Sequence, residues 1–188
     1  FGTGTGEISW APIMGVGYYK NLTIWHNGPN PYGCNNQQND ITIIASAVNN
    51  ISVKAGDNSN TAPAAPTLVI SNNSFITTGI LETSNDADLF KLVLTMPSAV
   101  KFKALPFSVG NQNAGGNVDI LSELYNSNMS LLKSSNPADS LESGIDTLLN
   151  TGTYYFRVKP VANSYAGTYG MSGEYLINGT LIPASTLP

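Results

Sequence analysis

The sequence predicts a mainly-β protein: an antiparallel β-sandwich, jelly-roll or immunoglobulin-like, behind an irregular N-terminal segment with at most one short helix. Three observations predict it. From residue 68 onward apolar residues recur with a period of two. Clusters of Asn, Asp, Ser and Gly punctuate those runs. A Pro/Ala/Ser/Thr stretch, residues 54–67, separates them from a differently textured beginning.

The alternation can be followed strand by strand. Phe90, Leu92 and Leu94 share one face, then Val100, Phe102 and Ala104, then Val118, Ile120 and Leu124, with Ser122 the weak point. Tyr154, Phe156 and Val158 face one way while Tyr155, Arg157 and Lys159 face the other, and Tyr175 and Ile177 close the series. Shorter strands are expected near 68–71, 75–81, 129–134 and 140–147. Each alternating strand has a wet face and a dry one, so two sheets must bury their dry faces together, about seven to nine strands in all. Asn72-Asn73, Asn85-Asp86, Asn126-Ser127-Asn128 and Asn150-Thr151-Gly152 supply tight reversals between antiparallel neighbours.

The expected organisation is an irregular segment 1–53, a linker 54–67 stiffened by Pro63 and Pro66, the sandwich 68–182 and a tail 183–188. Within the first segment Asn39 or Asp40 can cap a helix over 39–48 with Ile41, Ile44, Ala45 and Val48 on one face, while its β-branched content leaves a strand open. Phe1, Ile8, Trp10, Ile13, Val16, Tyr18, Tyr19, Leu22, Ile24 and Trp25 are too many large apolar groups to leave in water. Trp10, Met14, Tyr18, Tyr19 and Trp25 are therefore candidate packing or assembly residues, covered by a missing upstream domain, by the sandwich or by a neighbouring molecule.

Hydrophobic residues make up 41% of the chain, enough for a core. Charged residues are only 11%, the net charge is -4 and Arg157 is the sole arginine. Nothing here neutralises a run of phosphates, so nucleic-acid binding is excluded, and no apolar run is long enough for membrane insertion. A surface of neutral hydrogen-bonding groups suits a secreted protein. The chain starts at Phe1 rather than methionine, so the absence of a signal peptide carries no information on secretion. Asn21, Asn50, Asn72, Asn128 and Asn178 each begin an Asn-x-Ser/Thr sequon and are candidate glycosylation sites, though among 22 asparagines some matches arise by chance. Cys34 is alone, either passive or bonded to a partner.

No catalytic constellation stands out. His26 is the only histidine and no nucleophile elbow accompanies it. Asp86, Asp88 and Asp119 offer hard oxygen ligands for a structural calcium ion, against the plainer reading of Asp86 and Asp88 as turn caps. Tyr155, Tyr165 and Tyr169 are candidates for a carbohydrate-binding platform, against cross-strand packing for Tyr155.

Two resemblances follow from longer matches. Gly79-Ile80-Leu81, Asp86-Ala87-Asp88-Leu89-Phe90, Asn117-Val118-Asp119-Ile120, Gly152-Thr153-Tyr154-Tyr155-Phe156-Arg157-Val158 and Ser172-Gly173-Glu174-Tyr175 resemble the bacterial pre-peptidase C-terminal domain, a secreted accessory module behind extracellular peptidases. Ser9-Trp10-Ala11-Pro12-Ile13-Met14-Gly15-Val16-Gly17-Tyr18-Tyr19, with Trp25, Gly28 and Asn39-Asp40-Ile41, looks like the end of a metzincin-type catalytic domain, with Met14 in the turn beneath the metal. That family's zinc-binding His-Glu-x-x-His is not present, so no zinc ligand set is implied and the chain as it stands is no enzyme. Two functions are expected: a structural or adhesive extracellular glycoprotein, self-assembling into a surface fibre or matrix, or the accessory portion of a secreted zinc metallopeptidase. Partners are then glycans, extracellular matrix or further copies of the chain.

Overall fold

The computed structural model describes residues 2–30 and 33–186. Phe1 and the side chain of Cys34 lie outside the described residues. The expected alternation becomes eight antiparallel strands: β5 (Ser74–Leu81), β6 (Asp88–Leu94), β7 (Ser98–Pro106), β8 (Ile120–Asn126), β9 (Leu131–Ser135), β10 (Ser143–Leu149), β11 (Gly152–Pro160) and β12 (Gly173–Pro183). Before them in sequence come β1 (Trp10–Pro12), β2 (Leu22–Ile24), β3 (Asn27–Asn30), β4 (Gly33–Asn39) and the helix α1 (Asp40–Ile44).

One sheet runs β10-β7-β12-β5 and the other β6-β11-β8-β9. Numbered within the sandwich, these orders are 6-3-8-1 and 2-7-4-5, in which successive strands switch sheets except at the β8–β9 hairpin. That is the jelly-roll arrangement, and it decides the topology the sequence left open. Register confirms the dry faces. Phe156 pairs with Phe90 on one side and Leu124 on the other, and its ring stacks on Phe102 of the facing sheet, centroids 4.3 Å apart. Ser122, the polar break in the pattern, is buried because its hydroxyl lies 2.6 Å from that of Ser143 across the two sheets. A paired hydroxyl in a core costs far less than an orphaned one.

The segment before the sandwich divides its apolar residues. Ile8, Leu22 and Ile24 join the main core, with Trp10 packed against it. The strand expected at 68–71 forms only isolated bridges, Ser71 to Ser74 and its neighbour Thr67 to Lys91. The helix is shorter than the pattern allowed. Asn39 caps it, its Oδ1 accepting from Thr42 N at 2.9 Å, and it ends at Ile44, leaving Val48 exposed.

Residues 57–68 do not hang free. Asp57 Oδ2 accepts from Ile80 N of β5. Ser59 O accepts from Leu89 N, Pro66 O accepts from Lys91 N, and Leu68 N donates to Lys91 O. This strap also lays Ala62 and Ala65 over Leu89, Tyr125 and Tyr155, giving the outer face of β6, β11 and β8 a small core of its own.

Candidate functional site

The turn from β5 to β6 carries the acids. Asp86 does what the Asn85-Asp86 signal promised: Oδ2 accepts from Glu82 N at 3.1 Å and Oδ1 from Ala87 N at 2.8 Å. Asp88, fully buried, accepts from the Tyr175 hydroxyl of β12 in the opposite sheet. Gly79 makes room for that pairing, because a Cβ there would collide with the Tyr175 hydroxyl and sit 2.9 Å from Asp88 Oδ2. Asp57 arrives on the strap. Glu82, first residue after β5, has a side chain only 4% exposed.

Burial dominates the electrostatics. It pushes the Asp88 carboxyl up to about 7, against the Tyr175 hydroxyl and with help from the Asp57 and Asp86 charges. It pushes Glu82 up to about 7 as well, reinforced by Asp86 and then Asp57. Burial and the adjacent Asp88 hold the Tyr175 phenol far above its ordinary range. These carboxylates influence one another, yet among the described residues no group of three or more His, Cys, Asp or Glu is placed to hold a metal.

The three aspartates of the calcium expectation do not converge. Asp88 opens β6, whereas Asp119 immediately precedes β8, and β11 lies between those strands. Two strand spacings, together with an offset of about three residues along β11, separate them by more than roughly 10 Å. Asp119 instead accepts from Asn163 Nδ2 at 2.9 Å, and burial raises its carboxyl to about 6 against that bond, with Glu7 adding repulsion.

The tyrosine platform is also dispersed. Tyr155 is 9% exposed, because the strap covers the face that alternation assigned to solvent. Tyr165 packs its ring where a Cβ on Gly4 would stand. The Tyr169 hydroxyl donates to Asn39 Oδ1 at 2.6 Å and accepts from Ile41 N at 3.1 Å, fastening α1 to the sandwich. Of the assembly candidates, Trp10 and Trp25 are half-buried, whereas Met14, Tyr18 and Tyr19 are 73%, 89% and 90% exposed. Met14 lies in the turn closed by Gly15 N donating to Pro12 O. Among the sequons, Asn50, Asn72, Asn128 and Asn178 are exposed, whereas the Asn21 amide donates to Gln112 O. No helix among the described residues is long and apolar enough to cross a membrane.

Sequence reasoning passed over Glu7, Asp57 and Glu82. Glu7 Oε1 accepts from Asn113 Nδ2, Ser140 Oγ and Leu141 N at 2.7, 2.7 and 2.8 Å, clasping the N-terminal segment to the sandwich. None of the three lies in a motif; each is defined by what the chain later brings beside it.

No protein-family model matches the sequence, and comparison with curated proteins finds no match. Among solved structures the chain is similar to the pre-peptidase C-terminal domain of a collagenase from Bacillus anthracis, at 12% identity and TM-score 0.46, over 65% of this chain and 100% of that one. It is also similar to PliG, a periplasmic inhibitor of g-type lysozyme, from Aeromonas hydrophila (13% identity, TM-score 0.44, 62% of this chain and 95% of that one) and from Salmonella Typhimurium (15%, 0.36, 62% and 99%).

Proposed function

We propose that the chain is a non-catalytic extracellular attachment module, the accessory portion of a secreted zinc metallopeptidase, holding that enzyme to its substrate or to a surface. The loop Ile13–Tyr19 carries the reading. Its ends are anchored: Ile13 N donates to Ile24 O at 2.9 Å, Lys20 N to Gly17 O at 3.0 Å, and Lys20 Nζ to Gly4 O. Between the Ile13 and Lys20 anchors, Met14, Val16, Tyr18 and Tyr19 face solvent. Rings with an apolar body and a polar tip, presented from a rigid scaffold, suit gripping a polymer by stacking or packing. Co-sedimentation with insoluble polysaccharides and insoluble fibrous proteins tests this. The intact chain is retained, and the double variant Tyr18→Ala, Tyr19→Ala loses at least tenfold in apparent affinity; equal retention of both overturns the reading.

A second reading, a glycosylated subunit of a self-assembling fibre or matrix, is favoured by exposed Leu131 and Leu132 on the edge strand β9, apolar groups set on strand backbone available for pairing. Electron microscopy at high protein concentration separates the two, since strictly monomeric particles remove the fibre.

A further inference from the structure

On the outer face of the β10-β7-β12-β5 sheet lies a cleft of about 300 Å³, lined by the apolar Ile80 and Leu176 together with Thr78, Phe107, Asp57 and Glu174. Gly79 and Tyr175 complete the lining, although the Tyr175 ring turns to the core, where its hydroxyl meets Asp88. Asp57 and Glu174 are the only charged lining residues, and both are exposed. Strand register sets them on either side of Ile80. Ile80 pairs with Glu174 across β12, while its own N–H, on the opposite side of β5, donates to Asp57 Oδ2 at 3.0 Å. Phe107 N donates to Glu174 O at 2.8 Å, which sets the phenylalanine next to that acid, 56% exposed. Asp57 Oδ1 accepts only from the adjacent Asn58 N, and the Glu174 side chain has no hydrogen bond or ion pair with any described residue. Lys54 lines the adjoining cleft and stands 3.7 Å from Glu82, so no cation of the chain lines this one. Calcium asks for six to eight oxygen ligands, which a lining rich in isoleucine, leucine and phenylalanine cannot supply. A guanidinium matches the whole lining. Its face is weakly hydrated and stacks on an aromatic ring, while its in-plane N–H groups reach carboxylates to the side. An ammonium is more strongly hydrated and gains less from the ring and the apolar residues. The net charge of -4 favours a basic partner as well.

We propose that this cleft binds an arginine side chain of a partner protein, the methylenes on Ile80 and Leu176 and the guanidinium against Phe107 between Asp57 and Glu174. The cleft opens on a sheet surface, so the guanidinium arrives on a side chain that projects from another protein. The inference is independent of the aromatic loop: the Tyr18→Ala, Tyr19→Ala variant keeps this binding, and the attachment reading survives or fails separately. The experiment titrates the full chain with N-acetyl-arginine methylamide at pH 7 and low salt, reading the backbone amide resonances of Thr78, Ile80, Phe107, Glu174 and Leu176. Saturable shifts are expected, weakening at high salt. The citrulline analogue, which keeps the shape and loses the charge, binds at least tenfold more weakly, and N-acetyl-lysine methylamide also binds more weakly. Glu174→Gln, a change on an exposed strand face, lowers the arginine affinity about fivefold or more while its melting curve matches that of the parent chain. Phe107→Leu lowers it about threefold, since leucine keeps an apolar contact but offers no ring face. Equal binding of the citrulline analogue, no effect of Glu174→Gln, or calcium shifting these resonances where the arginine compound does not would overturn the proposal.

Discussion

Glu7 and Glu82 are both carboxylates at seams between the sandwich and the chain preceding it, yet Glu7 accepts three hydrogen bonds from neutral donors, whereas the neighbour Glu82 meets is another acid, Asp86. At Glu7 burial pushes the carboxyl up, but Ser140, Leu141 and Asn113, with the Lys103 charge, outweigh it and hold the group below its ordinary value. At Glu82 burial acts with Asp86 and Asp57 and the group rises to about 7. The same side chain is thus a structural clasp in one place and an acid crowded by other acids in the other. What differs is the supply of neutral donors.

The largest effect that would sharpen this contrast comes from Asp88, which shares the Glu82 environment. Its folded value of about 7 lies above its ordinary 3.8. The stability it contributes is therefore fully present below about pH 4 and is lost as pH rises through about 7. Asp88→Asn removes that loss: at pH 8 the variant is more stable by about 3 kcal/mol, a rise of roughly 10 °C in melting temperature, and at pH 4 the curves coincide. Glu7→Ala works in the opposite sense. It leaves Ser140 Oγ, Leu141 N and Asn113 Nδ2 without their acceptor, costs about 2–3 kcal/mol, and exposes residues 2–12 to limited proteolysis. Because its folded value is lowered, the Glu7 contribution is present above its ordinary 4.5 and is lost as pH falls through the folded value.

Smaller is Glu82→Gln, which stabilises by about 1–2 kcal/mol at pH 8 and has no effect at pH 4 in thermal melts. A destabilising result at pH 8 would make the two seams alike and break the comparison. Smallest is the double variant Tyr18→Ala, Tyr19→Ala, expected to change stability by less than about 0.5 kcal/mol because those side chains touch almost nothing. Urea titration checks it.

The sandwich was legible because a period of two reports which face of each strand is dry, as at Phe90, Phe102 and Phe156. Periodicity does not report what covers the other face. Tyr155 reads as outward from its neighbours, and only the return of Ala62 and Ala65 buries it. Strand order was beyond reach for a related reason, since alternation is the same in either topology. Glu82 closes the run Gly79-Ile80-Leu81 and looks like an ordinary turn acid. The residues around it, Trp25 and 51–53 lining the cleft beside it and Lys54 pairing with it, are distant in sequence. The large apolar residues of the first 25 were expected to need cover; the sandwich supplies it for Ile8, Leu22 and Ile24, while Met14, Tyr18 and Tyr19 stay exposed.

The strap has a consequence for aggregation. β6 is the last strand of its sheet, and the row of N–H and C=O groups on its outer side would otherwise template any extended chain that drifted past. With Leu89 and Lys91 already bonded to Ser59, Pro66 and Leu68, the first half of that row is occupied by the protein's own backbone. The prolines at 63 and 66 cannot themselves donate to a further strand. Residues 57–68 thus act as a built-in guard rail, and cutting them would open a sticky edge on an otherwise intact jelly roll.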